Sequence, residues 1–80
     1  MPLRPSQVET LRAVAQITSL TGCYRASARS VGQRLKISEA AAYRRMYALE
    51  GRRFLASSFG NRRIAFYLTP LGIEALEGSK

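Results

Sequence analysis

The sequence predicts a mainly α-helical fold with one small β-hairpin, an α+β domain built on a single core. Three observations predict it. Four stretches carry apolar residues at helical spacing behind a start signal. Two short β-rich runs flank Gly60-Asn61, a turn sequence. Eighty residues, 46% of them hydrophobic, suit one globular core and leave no room for a second. The order is helix, brief extended segment, helix, helix, strand, strand, helix, with residues 1–80 as one domain.

Residues 1–5 form a leader in which Pro2 and Pro5 prevent an early helix. Ser6 and Glu9 then make the S-x-x-E capping box of a first helix over 6–19. Val8, Leu11, Ala15 and Thr18 line one face of it with Val14 beside them, and Ile17 lies off that stripe. Thr21-Gly22 stops the helix, glycine being the usual left-handed cap. Cys23 to Ala26 reads as the brief extended segment, with Cys23 as a small buried hydrophobe.

Ser27 caps a second helix over 28–35 whose inner face is Ala28, Val31 and Leu35. Gly32 costs about 1 kcal/mol of helix propensity relative to alanine, which implies close packing at that point. Lys36-Ile37 turns the chain, Ile37 filling the space between helices, and Ser38 caps a third helix over 38–52. At about 100° per residue, Ala42, Met46 and Leu49 fall on one side of this helix. Ala40, Tyr43, Arg44 and Tyr47 fall on the other: small, aromatic and cationic, a face suited to lying along nucleic acid. Two short helices joined by a tight turn, the second with such a face, form a helix-turn-helix.

Residues 54–68 predict a hairpin with a type II′ turn at Gly60-Asn61, setting Phe59 opposite Arg62, Ser57 opposite Ile64 and Leu55 opposite Phe66. Its base is apolar and its tip carries Ser58, Asn61, Arg62 and Arg63, the pattern of a basic wing. Thr69-Pro70 opens a last helix over 70–77, threonine as cap and proline where a missing amide costs nothing. Leu71, Ala75 and Leu76, with Ile73 alongside, are its apolar surface.

Charge decides the function class. Thirteen Lys+Arg against five Asp+Glu give +8 and a pI near 10.9, a balance that attracts polyanions, nucleic acid above all. A single cysteine and no histidine leave nothing from which to build a disulfide or a zinc site, so no metal or cofactor is expected. The few acids are scattered, with no paired carboxylates and no Gly-rich phosphate loop, which argues against an enzyme. No apolar run approaches the roughly 20 residues of a membrane span, and the N-terminus lacks the apolar core of a signal peptide. A cytoplasmic location is expected.

Two stretches carry a resemblance. Ser27 to Leu55, S-A-R-S-V-G-Q-R-L-K-I-S-E-A-A-A-Y-R-R-M-Y-A-L-E-G-R-R-F-L, resembles the braced helix, turn, recognition helix and strand entry of winged helix-turn-helix regulators, notably MarR-like and PadR-like transcription regulators. Phe66 to Leu76, F-Y-L-T-P-L-G-I-E-A-L, is similar to the aromatic-x-Leu-Thr-x-x-Gly ending that follows their wing. The resemblance implies that Ser38 to Tyr47 reads the major groove of double-stranded DNA while the wing contacts phosphate or minor groove. It implies a prokaryotic, archaeal, phage or plasmid setting. Arg53 departs from the family by standing where a glycine usually precedes the strand, with Gly51 as an alternative helix exit. Ala40 and Ala41 replace small polar residues, which moves base reading away from the helix start. The long terminal helices through which MarR-like proteins dimerise, near which the family's small-molecule pocket forms, are not expected within these residues.

The DNA-binding candidates are therefore Ser38, Ala40, Tyr43, Arg44 and Tyr47 on the third helix, Arg29 and Arg34 flanking the bracing helix, and Asn61, Arg62 and Arg63 at the wing tip. Arg44 is the main base reader, since a bidentate arginine–guanine pair discriminates by about 1–3 kcal/mol. Arg52 and Arg53 are assigned instead to the negative end of the helix dipole. A homodimer through the first helix (Ile17) and the last (Ile73, Leu76) is expected on a pseudo-palindromic site. Two rival uses of the same fold remain: a replication, recombination or mobile-element accessory protein, and a module that docks an acidic protein.

Overall fold

In the computed structural model, which describes residues 3–60 and 63–78, local start and stop signals divide the chain into helices α1 (Pro5–Thr21), α2 (Ala28–Leu35), α3 (Glu39–Gly51) and α4 (Pro70–Gly78) and strands β1 (Leu55–Gly60) and β2 (Arg63–Leu68). Three caps act as their residue types dictate. Ser27 Oγ accepts from the Ser30 amide at 3.1 Å, Ser38 Oγ from the Ala41 amide at 3.1 Å, and Thr69 Oγ1 from the Gly72 amide at 3.1 Å. Gly22 ends α1 in the left-handed conformation (φ 71°), its amide bonded to the Thr18 carbonyl.

The start of α1 differs from expectation. Pro5 is its first residue and Arg4 its N-cap, with Gln7 Oε1 accepting from the Arg4 amide at 3.1 Å; Ser6 lies inside the helix and takes no capping role. Proline at the first helical position has φ already set, so the residue read as a breaker acts as a nucleator. Ser6 instead offers its carbonyl to the fully buried Thr10 hydroxyl at 2.8 Å.

One core runs through every element but α4, which leans on it. Leu11 and Val14 of α1, Ala28 and Val31 of α2, Ala42, Met46 and Leu49 of α3, Leu55 of β1 and Phe66 of β2 are buried together. The inner face of α3 is thus the i, i+4, i+7 stripe that the sequence predicts. Ile17, Ile37, Leu68, Ala75 and Leu76 pack at the margin, while Leu71 and Ile73 of α4 remain about half exposed. Gly32 has a steric reason to stand in α2: a methyl there would meet the Ile37 and Ser38 carbonyl oxygens at 3.0 and 3.3 Å, so the helix-turn-helix closes tightly only around glycine.

The hairpin register is shifted from the expected one. Leu55 pairs with Leu68, Ser57 with Phe66 and Phe59 with Ile64, and Gly60 is the last residue of β1, paired with Arg63, not a turn residue. Both registers put the same side chains on the core face, because a slide of two residues preserves the alternation. The base makes the choice. The Thr69 amide bonds to the Phe54 carbonyl at 3.3 Å and the Thr69 hydroxyl donates to the Arg53 carbonyl at 2.6 Å, holding Leu68 opposite Leu55. The type II′ conformation expected at Gly60-Asn61 rests in part on Asn61, which lies outside the described residues.

The extended segment before α2 is a single bridge. Ala26 and Phe66 exchange two amide–carbonyl bonds of 2.8 Å, adding one residue to the free edge of β2. Cys23 is exposed, not buried, because the segment leaves the Gly22 cap along the surface, the Cys23 amide tied to the Thr21 hydroxyl at 3.3 Å.

Candidate nucleic-acid interface

The core stripe of α3 dictates what its other face presents. With Ala42, Met46 and Leu49 pointing inward, Ala40, Arg44 and Tyr47 are exposed, and Tyr43 is half-buried beside them. Ser38, also exposed, uses its Oγ as the helix cap. Glu39 supplies the acidic first turn that the helix dipole favours.

The two tyrosines join the helix to the wing. Their rings lie 4.9 Å apart, and both meet the ring of Phe66 edge-on, at 5.8 Å for Tyr43 and 5.5 Å for Tyr47. They therefore cover the base of β2 and still leave Tyr47 45% exposed. Hydrogen bonding with the Tyr47 hydroxyl, then burial, then the charges of Tyr47, Glu39 and Glu50 push the Tyr43 hydroxyl above its ordinary pKa of 10.0. Tyr43 is accordingly a neutral hydroxyl at physiological pH, able to donate as well as accept.

The basic residues separate into three groups. Arg44 on α3 and Arg29 on the first turn of α2 are exposed. Arg34 turns toward α1, its Nε donating to Gln16 Oε1 at 2.8 Å, so α2 does not bring its two arginines together. Arg52 bridges the end of α3 to the start of α1 through Gln7 Oε1 at 3.2 Å and lies over the Phe54 ring at 5.1 Å, a structural tie more than a dipole counter-charge. Of the wing candidates, Arg63 opens β2, while Asn61, Arg62 and the Arg63 side chain lie outside the described residues.

Arg25 was not among the expected residues. It is half-buried beside the Ala26–Phe66 bridge, reaches Ser58 Oγ on β1 at 3.4 Å, and stacks its guanidinium 5.4 Å from the Tyr24 ring centroid. Tyr24 in turn meets Tyr67 edge-on at 5.6 Å. The contact spans 33 residues of sequence and carries no local signal.

Among the described residues no group of three or more His, Cys, Asp or Glu side chains is placed to hold a metal ion, and no described helix is long and apolar enough to cross a membrane.

Similar folds occur in regulators of known structure. Bordetella bronchiseptica BpsR, whose DNA binding is regulated by 6-hydroxynicotinic acid, is 25% identical to this chain with a TM-score of 0.80, over 95% of this chain and 52% of that one. A MarR family protein from Bacillus stearothermophilus is 12% identical with a TM-score of 0.81, over 98% and 51%. MepR of S. aureus in complex with DNA is 17% identical with a TM-score of 0.77, over 95% and 53%. The chain has the winged helix-turn-helix fold of these MarR-family regulators and spans about half the length of each. No protein-family model matches it, and no curated protein matches it by sequence.

Proposed function

We propose that this chain is the DNA-reading module of a transcription regulator, with α3 in the major groove of double-stranded DNA and the β1–β2 wing against the adjoining backbone or minor groove. One observation carries the reading: α3 is held rigidly by its buried stripe, with Arg44 and Tyr47 exposed on the opposite face and the wing fastened beside it through Phe66, in a chain of net charge +8. Arg44 reads a base edge, Tyr43 and Tyr47 hold phosphate or sugar through their hydroxyls, and Ser38, Ala40 and Arg29 border the duplex. Asn61, Arg62 and Arg63 supply the wing's grip. Arg34, bonded to Gln16 on the α1 side, takes at most a peripheral share of it. The role is binding without catalysis, in a prokaryotic cytoplasm.

The chain pairs with a second copy on DNA. Of its apolar candidates, Ile73 on α4 has the exposed surface this needs, joined by Leu71, whereas Ile17 and Leu76 are drawn into the margin of the core. Sedimentation free and on DNA gives a dimer in at least the bound state; a monomer in both ends this part of the reading.

The test is a mobility-shift titration on genomic fragments at two salt concentrations. Arg44→Ala flattens preference between fragments, costing about 1–3 kcal/mol at the best site and little elsewhere. The Arg62→Ala/Arg63→Ala pair weakens all fragments alike and lowers the salt slope by about one for each phosphate no longer neutralised. Unchanged binding by both variants rejects the docking geometry.

A further inference from the structure

Phe59 is the most exposed large hydrophobic side chain among the described residues, at 79%. Its place in the hairpin is specific. In a strand, alternate residues share a face, so Phe59 lies on the same face as Leu55, and its cross-strand partner Ile64 on the same face as Phe66 and Leu68. That is the face on which Tyr43 and Tyr47 of α3 rest. Moving outward from the Ser57–Phe66 pair, Phe59 stands about 7 Å further along β1, one residue before the closing Gly60–Arg63 pair. The chain thus sets a bare aromatic ring on the α3 side of the wing, beyond the core, next to its tip sequence G-N-R-R.

The geometry points to Phe59 as an apolar wedge that enters the minor groove of the duplex and partly unstacks one base step. The inference rests on the DNA-binding reading above and assigns that site a residue it did not include. A duplex lying along the exposed face of α3 runs past this face of the wing, and an apolar side chain inserted at a base step is the means by which minor-groove proteins bend DNA. Ser57 and Ser58, one or two positions inward, offer no comparable apolar surface.

The test uses the full chain on a duplex site taken from the mobility-shift titration, with 2-aminopurine placed at successive positions across the segment next to the α3 footprint. Wild type brightens the probe at one step and bends the duplex in a circular-permutation gel by some tens of degrees. Phe59→Ala loses both signals and about tenfold or more in affinity, with its salt slope unchanged because the same phosphates stay neutralised. Phe59→Leu keeps most of each signal. Both variants melt near wild type, since the ring is exposed. Salt-dependent binding by wild type with no brightened step, or a Phe59→Ala variant that brightens and binds like wild type, overturns the wedge alone. A wild-type chain that holds no duplex overturns the DNA-binding reading and the wedge with it.

Discussion

The third helix and the wing would face the same duplex in the proposed reading, and they are held in place differently. α3 is supported from within and beneath: Ser38 caps it, and Ala42, Met46 and Leu49 sit in the core one turn apart. The wing owes its position to contacts with other elements. Ala26 pairs with Phe66 at its free edge, Tyr43 and Tyr47 cover its inner face, and Thr69 and Gly72 clamp the base of β1 to the start of α4. A helix fixed by its own stripe aims Arg44 along one direction, which suits base reading. The hairpin, tied most firmly at its base, leaves the Phe59 ring exposed one residue from the end of β1, which suits wedging.

The base of the wing is where the contrast breaks most easily. A methyl on Gly72 would fall inside contact distance of the Phe54 carbonyl, backbone that cannot swing away. Gly72→Ala should therefore cost about 2–4 kcal/mol in a denaturant melt, separating α4 from β1. A melt like wild type would mean that β1 and α4 are not packed this closely.

Two caps carry unequal duties. Ser38 Oγ caps its own helix, so Ser38→Ala should cost about 1 kcal/mol. Thr69 Oγ1 caps α4 and also donates to the Arg53 and Phe54 carbonyls at 2.6 and 3.1 Å. Thr69→Val should cost more, about 2 kcal/mol, because both tasks fail together. Equal losses in parallel melts would remove the clamp from the account of the wing.

The smallest effect has the opposite sign. Arg53 joins α3 to β1 at φ 67°, left-handed backbone that a side chain disfavours, while Gly51 stays helical and gives no exit. Arg53→Gly should raise stability by up to about 1 kcal/mol, the relief of the left-handed strain offset by glycine's greater freedom when unfolded. A clear loss would show that the exposed Arg53 side chain has a partner in the fold.

The resemblance to winged regulators was legible because its signals are local. Serine before a helical stripe, Gly22 after one, Thr69-Pro70 before another, and the period of Ala42, Met46 and Leu49 are each written within a few residues. The exposed face of α3 followed from its buried one. The wing tip, by contrast, was legible only as the composition G-N-R-R, and Phe59 read as an ordinary strand residue because nothing nearby in sequence says whether a partner will cover it. Arg34 and Arg29 are alike in sequence, and only the Gln16 side chain of α1 separates them. Arg25 carries no mark of its own because Ser58 lies 33 residues away.

By itself, then, the sequence determined the order of elements, the caps of α2, α3 and α4, the core stripe of α3 and the basic character of the surface, all of them set by short-range stereochemistry and by charge. The tertiary structure alone decided the hairpin register, since two registers satisfied the same alternation until Thr69 bound the Arg53 and Phe54 carbonyls. It also decided why glycine is required at position 72, where α4 meets the backbone of residue 54, and which aromatic rings end up covered: Tyr43 by its neighbours, Phe66 by the whole fold, and Phe59 by nothing among the described residues of the chain. Those are outcomes of distant segments meeting in space, and only packing resolves them.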